Sequence, residues 1–198
     1  MNKNIKTLVI IALFSAIGAI LMYLDFQLPI APSFMKMDLS ELPVIIGGFL
    51  LGPIECVAIA ILKVLIKFVL KGTSTMFIGE IANIIGSISY ALPASLIYRK
   101  LKSKKGAMCG LVVGVICSSV VMTLCNMLFI FPMYMKIAMF HMNEEKIIMK
   151  CREIFPFIDS MPKVYLLSVL PFNLVKYTTV SIITFIFYKR ISKIIKNI

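Results

Sequence analysis

Apolar residues run along this chain in long blocks, and the polar positions fall between them. Residues 7–24 carry no charged side chain. A helix rises about 1.5 Å per residue and needs about 20 apolar residues to cross a hydrocarbon core, so this run predicts a first transmembrane helix. A polar loop over 25–42 follows, with Pro29, Pro32, Asp38 and Glu41. Residues 43–51 are apolar but few, and Gly52-Pro53 ends the run, because that pair interrupts helical hydrogen bonding. A further run covers 54–70, apolar from Cys56 onward and broken there by Lys63 and Lys67. Together these runs predict a short second helix, a turn and a third helix, with one kinked helix as the alternative.

Residues 71–75 read as a turn, and 76–98 as a fourth helix carrying Glu80 and Asn83. A compact basic stretch, 99–105, leads to a fifth helix over 106–131, with Asn126 in its later half. Residues 132–163 form a mixed-charge outer loop with an amphipathic stretch around 144–154. A sixth helix, 164–188, holds Asn173 and Lys176. No internal repeat is evident. The expected fold is an all-α integral membrane protein of six transmembrane helices, built as one domain over 1–198.

Composition supports lipid as the solvent. The chain is 60% hydrophobic and 15% charged, whereas soluble domains are roughly 45–50% apolar and about 25% charged. The net charge of +12 would suggest nucleic acid in a soluble protein. Here the basic residues cluster at the ends of apolar runs, which favours membrane orientation over a phosphate-binding face. With the N-terminus inside, six spans place Lys3, Lys6, Arg99, Lys100, Lys102, Lys104, Lys105 and the basic tail in the cytoplasm. Glu55 is the one acidic residue near that side. This is the positive-inside bias, and it predicts that both termini are cytoplasmic. A single span across 43–70 would put the later loops on the wrong side. The first run is also long for the apolar core of a cleavable signal.

Catalytic and metal signatures are missing from the sequence. The cysteines Cys56, Cys109, Cys117, Cys125 and Cys151 form no CxxC or Cys/His spacing, and read as small buried apolar residues. There is no G-x-x-x-x-G-K-[ST] loop for ATP phosphates and no H-E-x-x-H. His141 reads as a loop residue without a Ser or Cys partner set. No enzyme activity, resident cofactor or metal is expected.

Polar residues inside the spans carry the functional signal, since a charge near the bilayer centre costs at least about 2.5–3.5 kcal/mol. Asn173 and Lys176 are three apart and share a helix face, roughly 14 and 18 Å from the outer end of their span. Asn126 lies in the outer half of its helix, Glu80 and Asn83 begin theirs, and Asp38 precedes the second helix. All point to one depth zone open to the outside. Structural alternatives stay open for several of them. Asn83 and Asn126 could tie helices together, Asp38 and Glu41 could form a capping box, and Glu80 could pair with Lys67 or Lys71. Lys67 could also snorkel to the surface. Ala12 and Ala16 form a small-xxx-small stripe, extended by Gly18 and Ala19, that lets a helix approach closely, either within the bundle or from a partner.

Several segments resemble one family. They are Lys36-Met-Asp-Leu-Ser-Glu-Leu-Pro43, Gly47-Gly48 with Phe49-x-x-Gly52-Pro53, Gly79-Glu-Ile-Ala-Asn83, Leu124-Cys-Asn126 with Phe131-Pro132-Met133-Tyr134, and Pro171-Phe-Asn-Leu-Val-Lys176. The combination, over roughly residues 8–192, resembles the riboflavin-specific substrate-binding (S) component of energy-coupling factor (ECF) transporters. The resemblance implies a six-helix plasma-membrane component of bacterial type that binds riboflavin from outside. It implies partners too: one transmembrane coupling protein and two ATPase subunits, met through the Ala12/Ala16 face. The whole component would then topple to carry the vitamin inward. By the motif match, Asp38, Asn126, Asn173 and Lys176 would contact the flavin or its ribityl chain, with Glu80 and Asn83 in the matching loop-to-helix region. Amides suit a flavin edge of alternating donors and acceptors. Two alternatives remain at this stage: an S component for another vitamin, and a gradient-driven carrier using Glu80 and Lys176 as a relay.

Overall fold

A computed structural model describes residues 3–28, 32, 35–137 and 142–196. Seven helices are formed among them. Helix α1 is Lys3–Tyr23, α2 is Glu41–Leu50, α3 is Pro53–Lys71 and α4 is Ile78–Leu101. Helix α5 is Lys104–Lys136 and contains a π-turn at Asn126–Ile130. Helix α6 is Glu144–Arg152, and α7 spans 161–196 with a π-turn at Tyr165–Val169. A two-stranded antiparallel hairpin, β1 (Phe26–Gln27) and β2 (Lys36–Met37), sits between α1 and α2.

Local chemistry sets the ends. Gly52, at φ +139°, turns the chain between α2 and α3, and Pro53 starts α3 where its missing N–H has no helical partner to lose. Gly72, at φ +71°, ends α3. Met76 and Phe77 then adopt positive φ, so α4 starts at Ile78 rather than at the expected 76. The Ser103 hydroxyl accepts the Gly106 N–H at 3.0 Å and caps α5.

Helices α5 and α7 are longer than the apolar runs suggested, because Phe131–Lys136 and Met161–Val164 continue them beyond the spans. The outer loop expected over 132–163 is therefore partly helical. Its amphipathic stretch forms α6, which buries Ile147 and Cys151. The loop expected over 25–42 contains the hairpin, and Glu41 is already the first residue of α2. Residues 29–31, 33–34 and 138–141, with Pro29 and His141, lie outside the described residues.

By length and composition α1, α4, α5 and α7 can cross a membrane. Helix α2 has only 10 residues, and α3 carries Glu55, Lys63, Lys67 and Lys71. Helix α2 is nonetheless central, touching α1, α3, α4 and α7. Two apolar cores result. One surrounds Val44, Ile45, Ile59, Tyr90 and Tyr177 within the bundle. The other gathers Met37, Phe131, Ile147, Ile158 and Val164 beneath the hairpin and the connection holding α6. Cys56 and Cys151 are buried as expected, but Cys117 and Cys125 are only half-buried and Cys109 is exposed on α5. Its helix turns that position away from the bundle.

The small-residue stripe of α1 divides by helical phase. Ser15, Gly18 and Ala19 face the bundle, while Ala12 is exposed and Ala16 half-buried beside exposed Leu13, Ile17 and Ile20. Close backbone approach occurs instead between α4 and α5. A Cβ added to Gly110 would lie 2.6 Å from the Ala94 carbonyl oxygen, and one at Gly114 would lie 2.7 Å from that of Tyr90. Backbone cannot yield there as a flexible side chain can. Gly110→Ala and Gly114→Ala should each destabilise the protein by about 1–3 kcal/mol, measured by thermal unfolding in detergent. Val112→Ala, on the outward face of the same helix, should change stability by no more than about 0.5 kcal/mol.

Candidate ligand-binding site

The β-hairpin delivers Asp38 to the bundle. Met37 is buried beneath it, and Asp38 follows as a loop residue with 5% exposure. Its Oδ1 accepts the Ser40 backbone N–H at 2.8 Å, and its Oδ2 lies 3.2 Å from the Lys176 ammonium. These partners are 138 residues apart. Lys176 has no acid nearby in sequence, and tertiary folding supplies one.

Three amides behave alike. Asn83 donates to the Gly79 carbonyl at 2.8 Å, Asn126 to that of Met122 at 2.7 Å, and Asn173 to that of Val169 at 2.9 Å. Each bond spans one helical turn and fixes the side chain along its own helix. The Oδ1 of each forms no hydrogen bond among the described residues. Each amide therefore keeps an acceptor, and a second N–H, for a ligand. Among the described residues these groups tie no helix to another.

Two of the amides sit on or just after π-turns, and prolines explain the position of both turns. Pro132 has no N–H for the carbonyl of Leu128, within Asn126–Ile130, and Pro171 has none for Leu167, within Tyr165–Val169. The proline ring also presses on that carbonyl. An inserted residue relieves the crowding and turns the following side chains by roughly 100°. Pro93 lies inside α4 without such a turn, so proline is not sufficient by itself.

Glu80 closes the outer side of the site. Its Oε1 lies 3.2 Å from the Lys67 ammonium, and its Oε2 accepts from the hydroxyls of Thr73 and Thr75 at 3.0 and 2.8 Å. These bonds tie the turn before α4 onto the helix. Lys67 is thus paired rather than reaching for the surface, while Lys71 stacks over the Tyr23 ring at 4.6 Å.

These groups border two adjoining cavities. The outer one, about 460 Å³, is lined by Asp25, Asp38, Lys67, Thr75, Glu80 and Lys150 among others. The inner one, about 160 Å³, has Asn126, Asn173 and Lys176 among walls of Met122, Ile130, Phe131, Phe172 and Tyr177. Lys36, Gly79, Asn83 and Tyr134 line both. The Asp38–Lys176 pair joins the outer wall to the inner one. Polar and apolar groups share both linings almost equally, so the polar groups converge as in a usual small-molecule site but the walls are more polar than is typical.

Residues 6–188 match the family described as ECF transporter, substrate-specific component. The chain belongs to that family. The riboflavin transporter RibU of Staphylococcus aureus (strain TCH60) is 27% identical over 199 residues, covering 100% of this chain and 96% of that protein. RibU of Lactococcus lactis subsp. cremoris is 30% identical over 185 residues, covering 89% and 88%. The riboflavin transporter FmnP of Bacillus subtilis is 30% identical over 132 residues, covering 66% and 70%. The fold is shared with a solved structure titled "Structure and mechanism of the S component of a bacterial ECF transporter". The TM-score is 0.74 at 24% identity, covering 98% of this chain and 99% of that one.

All six polar residues singled out from the sequence of this S component line the two cavities. Some of their expected alternatives are replaced. No capping box forms: Ser40 is the N-cap of α2 and makes no side-chain cap bond. Glu41 turns instead to Lys63 at 2.9 Å, since a carboxylate beside a buried ammonium gains more there than at a helix end. Glu80 pairs with Lys67 and Lys176 with Asp38, so the two members of the suggested relay are each occupied separately. Sequence reasoning missed Tyr134, Lys36, Thr73 and Thr75. The motifs beginning at Lys36 and ending at Tyr134 offered a signal for those two residues, and none pointed to Thr73 or Thr75.

The electrostatics of Asp38 give a pH dependence. Burial pushes its carboxyl up, while the Lys176 and Lys63 ammonium groups and bonds from Ser40 pull it down, leaving it at about 2 against an ordinary 3.8. A lowered folded value means the stabilisation is fully present above the ordinary value and is lost as pH falls through about 2. Stability lost in Asp38→Asn relative to the native chain should therefore be constant from about pH 8 to about pH 5 and shrink below about pH 4. Paired thermal unfolding curves across that range measure it.

Proposed function

We propose that this protein is the high-affinity riboflavin-binding component of a bacterial vitamin importer. It is a multi-pass protein of the plasma membrane, with six spans and both termini in the cytoplasm. The observation that carries the reading is convergence: Asp38, Asn83, Asn126, Asn173 and Lys176 border one bipartite cavity in a chain of the S-component family. Relatives named riboflavin transporters, covering nearly all of this chain, support the choice of vitamin.

The chemistry suits the ligand. A flavin ring is flat and apolar on its faces, and walls such as Phe131, Phe172 and Tyr177 offer matching surface. Its edge alternates carbonyls with ring nitrogens, and the free Oδ1 and N–H of the amides complement both. The ribityl hydroxyls can donate to Asp38 and accept from Lys176. A neutral vitamin needs no net counter-charge, and Asp38 and Lys176 already neutralise each other.

Transport needs an energy source, which the chain's sequence does not provide as a phosphate loop. The proposed source is an ECF module of one transmembrane coupling protein and two ATPase subunits. The outward face of α1 around Ala12 and Ala16, with its apolar neighbours, is the proposed contact with the coupling protein.

The deciding experiment is purification followed by the visible absorption spectrum and the mass of any co-eluting molecule. Bound flavin gives a yellow protein. A colourless protein that takes up no added riboflavin would overturn the reading, and a different co-eluting vitamin would replace the ligand while keeping the fold. Asn126→Ala and Lys176→Ala should each weaken riboflavin binding tenfold or more, about 1.4 kcal/mol per decade, by fluorescence titration. Ala16→Trp should abolish uptake into cells while leaving the dissociation constant unchanged; equal loss of both would remove α1 from the partner contact.

A further inference from the structure

Among the polar groups of the site, Asp38 is placed differently from the rest. Asn83, Asn126, Asn173 and Lys176 stand on helices, and the three amides are each locked by a bond one turn back. Asp38 lies outside any regular element. Nothing in helical hydrogen bonding fixes it, so something else must.

Directly behind it lies a buried polar cluster. Lys63, at 0% exposure in the middle of α3, donates to the Ser40 hydroxyl at 2.8 Å and to Glu41 Oε1 at 2.9 Å. The Ser40 backbone N–H in turn holds Asp38 Oδ1 at 2.8 Å. The single Ser87 proton faces two acceptors, Glu41 Oε1 at 2.8 Å and the Asn83 carbonyl at 2.7 Å. The cluster therefore joins α2, α3 and α4 at the point where the hairpin returns. On α1, Gly18 leaves room for the Lys63 stem, since a Cβ there would lie 3.1 Å from Lys63 Cβ.

Stability alone does not account for these charges. A buried ion pair is often no better for stability than well-packed apolar residues of similar volume. Glu41 Oε2 also finds no hydrogen bond among the described residues, so the cluster is not arranged for the fullest satisfaction of its atoms. What the cluster does fix is Ser40, and with it the direction of Asp38.

We propose that Lys63 and Glu41 are positioning residues for the ligand site, holding Ser40 so that Asp38 is aimed at Lys176 and the cavity. The inference rests on the flavin reading above. Neither residue lines either cavity, so their action on the ligand passes through Asp38.

A double-mutant cycle on the intact chain tests this, with riboflavin as the probe. The variants are Lys63→Met/Glu41→Leu, Asp38→Asn and the combination of all three. Replacing both charges together avoids leaving one of them buried alone. Affinity should fall by about tenfold in the Lys63→Met/Glu41→Leu protein, yet by less than about threefold when the same change is made on Asp38→Asn. Equal losses in both backgrounds, or no loss in either, would overturn the proposal. If the paired variant does not fold, Ser40→Ala in the same two backgrounds carries the test, with the same non-additivity expected. Failure of the native protein to bind riboflavin would refute the ligand reading. Native binding with additive or absent effects would refute only the positioning role.

Discussion

A charge inside a membrane bundle must find a partner, and the Asp38–Lys176 pair is where this chain meets that constraint. The two residues come from opposite ends of the sequence, at 3.2 Å in the fold. Their meeting requires the hairpin to reach back over the bundle, α2 to start immediately after it, and α7 to present Lys176 inward. Breaking such a buried pair by removing one partner costs about 3–5 kcal/mol. The pair is thus both a closure of the fold and a wall of the cavity. A ligand that meets it finds donors and an acceptor already oriented and little net charge.

The other site groups follow the same economy of orientation. Each asparagine spends one N–H on its own helix and keeps the remainder of its amide for the cavity. Preorganisation of this kind lowers the entropy lost on binding. The prolines at 132 and 171 add a second device. By disturbing the turns that precede them, they shift the phase of α5 just after Asn126 and that of α7 just before Asn173. The inner cavity beside those turns is lined by both apolar side chains and amides.

Outward from the cavity, Glu80, Thr73 and Thr75 bind the turn ahead of α4, where Met76 and Phe77 take positive φ. Strained backbone persists where its surroundings over-determine it. Inward, the Lys63–Glu41 cluster ties α2, α3 and α4 together. The site is therefore braced on both sides by ionic groups on α3, Lys67 above and Lys63 below. That explains why the one helix with several interior charges is also the one that composition alone does not mark as a span.

Much of this was legible in the linear sequence. Apolar run lengths gave the helices, because lipid demands a nearly continuous greasy stretch. Gly52-Pro53 marked the turn, because no helix runs through that pair unbroken. Isolated polar residues within greasy runs named Glu80, Asn83, Asn126, Asn173 and Lys176, because lipid tolerates them only for a reason, while Asp38 was named by its place in the polar loop just ahead of the second helix and by the family motif around it. Pairing was not legible. Which acid meets Lys176, whether Glu41 caps a helix or answers Lys63, and whether Glu80 takes Lys67 or Lys71 depend on distances between elements far apart in the chain. The hairpin, the π-turns and the outward phase of Ala12 were equally hidden, since each is set by how its element packs against the rest of the bundle. Residue types and their spacing are one-dimensional and survive in the sequence; the convergence of their side chains is set by packing, and only the folded bundle decides it.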